Sequence, residues 1–138
     1  MHYLPLSLFA LACYSLVAPL VKLATQHGVP PQVAVVFTNT VLVFTSLALS
    51  WTRGIPLTAS LSAKPLGMLL VAGVLLGLSV SAYYIALSRG PISVVVPIFG
   101  LFIVSSSIAG AVLFGETLTP QRLLGILCAL AAIYLVSR

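Results

Sequence analysis

Five apolar runs, each about twenty residues long, constrain this chain more than anything else in it. At 1.5 Å per residue, twenty helical residues rise about 30 Å, the thickness of a bilayer's hydrocarbon core. No water is present there to satisfy backbone N–H and C=O groups, so only helices or a closed barrel can cross. The runs do not alternate in polarity and are about twice as long as barrel strands, which leaves helices. The expected fold is all-α: an integral membrane protein with five transmembrane helices. Composition agrees, since 61% of residues are hydrophobic and 5% charged, where soluble domains carry about a quarter charged residues. Mean hydropathy is +1.25.

The pattern predicts helices at about Tyr3–Thr25, Pro31–Trp51, Pro65–Ser88, Pro91–Phe114 and Pro120–Ser137. The first run differs from a secretion signal: no basic stretch precedes it beyond His2, its apolar part is too long, and no small-x-small cleavage site follows. A kink is expected near Pro19, with Lys22 toward the end of the helix. Helix two carries the polar trio Thr38-Asn39-Thr40 and finishes on Trp51, a residue favoured at membrane surfaces. The longest polar connection runs from Arg53 to Lys64. Helix three has Gly73 and Gly77 at a spacing that allows close helix approach, then turns polar at Ser79, Ser81, Tyr83 and Tyr84. Helix four is interrupted by Pro97 and Gly100 and contains Ser105-Ser106-Ser107. Helices two to five each open on a proline. At the last of them Thr119 is the expected N-cap and Pro120 the first helical residue, where its missing N–H has no cost.

The chain reads as one transmembrane domain over residues 1–138, without an internal repeat. Cys13 and Cys128 fall inside spans as small packing residues, and no disulfide framework, metal spacing or cofactor motif is present. The net charge of +5 comes from basic residues scattered singly at helix ends, which argues against nucleic-acid binding. Glu116 is the only acidic side chain and His2 and His27 the only histidines. Neither a carboxylate pair nor a Ser-His-Asp set can be assembled, so no catalytic residue, metal ligand or cofactor is expected and the chain does not read as an enzyme.

Ala86-Leu87-Ser88-Arg89-Gly90-Pro91, a fourth helix with Pro97, and Gly115-Glu116-Thr117-Leu118-Thr119-Pro120-Gln121 followed by Gly125 together resemble the EamA domain of the drug/metabolite transporter superfamily. Pro19-x-x-Lys22 and the helix count extend the resemblance over the whole chain, with its strongest part from Ala82 to Val136. It implies half of a transporter: many members are ten-helix chains made of two inverted five-helix repeats, with a substrate cavity between them. A chain with one such unit is then expected to need a second copy or a homologous partner subunit, in antiparallel or parallel arrangement, to enclose a small-molecule substrate and work by alternating access. The implied location is the inner (plasma) membrane. Alternatives within reach are a subunit of a lipid-linked sugar flippase, and a non-transporting scaffold or fragment of a ten-helix transporter. Relatives with four helices exchange protons through a glutamate in the first helix, and Leu8 to Leu20 contains no acid.

The expected substrate-lining residues are Tyr14, Lys22, Asn39, Ser79, Tyr83 and Ser105. Ser79 and Tyr83 share a helix face, as do Pro97, Leu101 and Ser105, and Pro97 leaves the Ser93 carbonyl without its usual donor. The alternative for each is helix packing. Lys22 either snorkels to the surface or meets an anionic group in the cavity. Glu116 reads as a structural corner, paired with the start of helix five or with Arg122, rather than as a coupling carboxylate. Pro97, Gly115, Glu116, Pro120 and Gly125 are the expected structural positions. Basic residues give no orientation: Arg53, Lys64 and Arg122 lie on the N-terminal side and Lys22, Arg89 and Arg138 on the other, three against three.

Overall fold

The structure, a computed structural model, describes residues 3–56, 62–117 and 119–136. His2, Leu118, Ser137 and Arg138 lie outside the described residues, as do residues 57–61 of the longest connection. Among the described residues every regular element is an α-helix: α1 Tyr3–Ser15, α2 Val17–Gln26, α3 Pro31–Thr52, α4 Ala63–Arg89, α5 Ile92–Gly100, α6 Phe102–Phe114 and α7 Pro120–Val136. Helices α1 and α2 form one candidate span, Leu4–Gln26, and α5 and α6 another, Ile92–Phe114. With α3 and α4 these make four candidate spans, and α7 is a shorter apolar helix.

Both interruptions have local causes. Pro19 has no N–H for the Ser15 carbonyl, and the chain gives way there: Leu16 N donates to Cys13 O at 3.3 Å, a tighter turn, before α-type bonding resumes with Leu20 N on Leu16 O at 3.2 Å. In the fourth span the helix runs through Pro97 and breaks only after Gly100, where Leu101 N bonds Ile98 O at 3.1 Å. The Phe99 and Phe102 rings flank that break with centroids 5.6 Å apart. Proline's role as opener divides. Pro31 and Pro120 start α3 and α7, whereas Pro65 is the third residue of α4 and Pro91 caps α5 in an extended conformation, φ −68° and ψ 141°. All four stand where a helix has no use for the N–H.

The helices gather into two compact units, Met1–Arg89 and Gly90–Arg138. In the first, α2, α3 and α4 bury Ala18 and Val21, Ala34 and Val35, and Tyr83, Tyr84 and Leu87. These residues belong to the first half of α2, the start of α3 and the end of α4, so the chain closes where α2 packs against the start of α3 and the end of α4. Farther from that closure, Leu6, Phe9, Phe44, Leu70 and Leu75 are left uncovered within this unit. In the second unit α5 and α6 pack on α7.

Candidate functional site

The closed end of the first unit is fastened by Lys22. Its Nζ, carried on α2, donates to the Leu87 carbonyl at 2.7 Å and to the Ser88 carbonyl at 3.4 Å. Both carbonyls lie in the last turn of α4, where helical C=O groups have no intrahelical donor and the helix dipole is negative. An ammonium there satisfies two needs at once, so Lys22 acts as a helix cap supplied from another helix. The Lys22 side chain is half-buried at that helix end.

About one turn deeper lies a hydroxyl cluster. Tyr84 Oη donates to Thr38 Oγ1 at 3.3 Å, and Thr38 in turn donates to the Ala34 carbonyl at 2.9 Å. The Tyr83 and Tyr84 rings stand 6.2 Å apart, tilted by 56°. Tyr14 on α1 is within electrostatic reach of both, and its side chain is more than half exposed. Of the expected lining residues, the fold therefore gathers Tyr14 and Tyr83 and adds Tyr84 and Thr38, with Lys22 at the margin. Asn39 follows Thr38 and is half-buried, and Ser79 is exposed one turn before Tyr83. Ser105 belongs to the second unit and donates to the Phe102 carbonyl of its own helix at 3.1 Å, leaving only its lone pairs for another group. The polar run Thr38-Asn39-Thr40 and the pair Tyr83-Tyr84 marked this cluster in the sequence. Which tyrosine meets α3 is decided by the crossing of α3 and α4, which periodicity within one helix does not contain.

In the second unit, α6 ends at Gly115 in the left-handed region, φ +64°, a conformation that disfavours a side chain. The reversal lets Glu116 N donate to Gly110 O at 3.3 Å and lays the carboxylate against Gly110. Thr119 caps α7 as expected, its Oγ1 accepting from Arg122 N at 3.4 Å. The Arg122 guanidinium donates to the Thr117 carbonyl at 3.3 Å. Gly73, Gly77 and Gly125 have open space where a Cβ would stand, so among the described residues no helix of the same unit uses their small size. Cys13 and Cys128 are free and exposed. Among the described residues no three His, Cys, Asp or Glu side chains come together as a metal site.

The family profile described as the EamA-like transporter family matches residues 2–138. The chain belongs to that family. Neither the curated proteins nor the solved structures compared with it give a significant match. Membership in the EamA family makes it a multi-pass membrane protein of the drug/metabolite transporter superfamily, in a family of transporters rather than enzymes.

Proposed function

We propose that this EamA chain is one half of a small-molecule carrier of the inner membrane, completed by a second five-helix unit and working by alternating access. The observation that carries the reading is the asymmetry of the first unit. Its helices close at one end through the Ala18–Leu87 core and the Lys22 cap, while polar side chains at Tyr14 and Ser79 remain uncovered. A wall closed at one end and open along a hydroxyl-bearing face is half of a cavity. Open glycines at Gly73 and Gly77 leave room for a helix from outside this unit to approach closely.

Lys22 also bears on orientation. Its commitment to the α4 carbonyls removes it from the loop charges, leaving Arg53, Lys64 and Arg122 against Arg89 and Arg138. By the positive-inside rule the N-terminus is then cytoplasmic. A single orientation favours pairing with a homologous inverted subunit over an inverted copy of the same chain. Reporters fused to the C-terminus check this: activity only from the externally active reporter is expected, and equal activity from both reporters would mean that the chain inserts in both orientations and can pair with an inverted copy of itself.

Two experiments test the reading itself. In a background lacking Cys13 and Cys128, cysteines at Tyr14, Ser79 and Ser105 should react with a small water-soluble thiol reagent and those at Leu70 and Leu130 should not; uniform inertness argues for packing alone. Counterflow in liposomes, screened with amino acids, nucleosides, cationic drugs and sugar-lipids, should give one class of substrate. No counterflow with any class favours the scaffold reading.

A further inference from the structure

The second unit contains a recess of about 380 Å³ that the carrier reading does not use, lined by Ile103, Ser107, Glu116, Arg122, Gly125 and Ile126. Its size is at the small end of ligand pockets, about 300–1,000 Å³. Its chemistry is ordered. The Gly115 reversal turns Glu116 back along α6, so that a Cβ built on Gly110 would stand 3.2 Å from Oε2 and 3.4 Å from the carboxyl carbon. The carboxylate is thus seated on the helix rather than directed away from it. Across the recess Arg122, in the first turn of α7, donates to Thr117 O at 3.3 Å. A guanidinium has five N–H groups in a fixed fork, so that bond leaves donors available. Ser107 gives its proton to the Ile103 carbonyl at 2.7 Å and presents lone pairs. Ile103 and Ile126 supply the apolar part.

A negative group, a positive group and an apolar wall in one recess match a ligand with the complementary order: a cation and an anion a few bonds apart, continued by hydrocarbon. The guanidinium fork fits a phosphate better than a point charge would, and a carboxylate with a hydroxyl acceptor fits an ammonium that has N–H groups to donate. The corner joins the ends of two apolar helices, where the headgroups of a bilayer lie. We propose that this recess binds a zwitterionic ammonium–phosphate group, the headgroup chemistry of phosphatidylethanolamine, with Glu116 accepting from the ammonium and Arg122 donating to the phosphate. The assignment goes beyond the carrier reading and does not depend on it.

The test is native mass spectrometry of the full chain in detergent, offered equal amounts of phosphatidylethanolamine and phosphatidylglycerol. The chain's charge of +5 gives nonspecific contacts a bias toward the anionic lipid, so preference for the zwitterion stands out against the background. Wild type should retain phosphatidylethanolamine over phosphatidylglycerol by about threefold, the scale of a partly exposed ion pair. Glu116→Gln should bring the ratio to about one, and Arg122→Gln should lower retention of both lipids. Gly110→Ala, which displaces the carboxylate without removing a charge, should weaken the preference. Added glycerophosphoethanolamine separates the sources: undisturbed lipid adducts identify the lipid as ligand, and displaced adducts identify a soluble zwitterion of the same chemistry. Equal retention of the two lipids by wild type overturns the assignment, whatever the variants do. A preference unchanged in both Glu116→Gln and Gly110→Ala overturns it as well.

Discussion

Among the described residues the first unit buries seven side chains where α2 packs against the start of α3 and the end of α4, whereas α5, α6 and α7 include no buried side chain. Both units are equally apolar in kind, so hydrophobicity does not account for the difference. In lipid, where hydrocarbon surrounds a helix on every side, association depends on close packing and on polar contacts between helices. The first unit has both, in Leu87 and in the Lys22 and Tyr84 bonds. In the second, Ser105, Ser106 and Ser107 bond within α6, and Glu116, Thr119 and Arg122 bond around the Gly115–Arg122 corner.

That contrast predicts unequal sensitivity. Leu87→Ala, at a site with 0% exposure, should cost about 2–5 kcal/mol of unfolding free energy in mixed micelles. Leu124→Ala in α7, 63% exposed, should change it by no more than about 0.5 kcal/mol. Similar losses at the two sites would erase the distinction between the units. Lys22→Met keeps the apolar stem and removes the donor to Leu87 and Ser88, for an expected loss of about 1–3 kcal/mol, partly restored by Lys22→Arg. Thermal unfolding of the three proteins would show this. Gly115→Ala probes the second unit where it does depend on geometry, and the left-handed φ should cost about 1 kcal/mol. A weaker coupling is expected for the Tyr84–Thr38 pair, whose double-mutant cycle with Tyr84→Phe and Thr38→Val should give about 0.6 kcal/mol.

The helices were legible in the sequence because each run has to satisfy its own backbone in lipid, a requirement that acts locally. Hence α3 matches its expected span within a residue and Thr119 and Pro120 start α7 as their chemistry requires. The site was legible only in residue type. Tyr14 and Tyr83 stand within electrostatic reach of each other, but the partner of Lys22 is 65 residues away in the chain, and a carbonyl at the end of another helix leaves no mark of its own in the sequence. Tyr84 rather than Tyr83 reaches Thr38 for the same reason. The shift of the break from Pro97 to Leu101 is a smaller matter: a proline interior to an apolar helix costs one bond, and the helix yields at the neighbouring glycine instead.

Whether one chain is half of a carrier is decided by counting chains in vesicles that transport. With the substrate class found by counterflow, the purified complex is dissociated, labelled and reconstituted at dilutions that place one, two or more five-helix units in each vesicle. Uptake should be confined to vesicles holding at least two units and should rise with the square of protein density when units are scarce. Uptake in vesicles with a single unit, linear in protein density, would contradict the account.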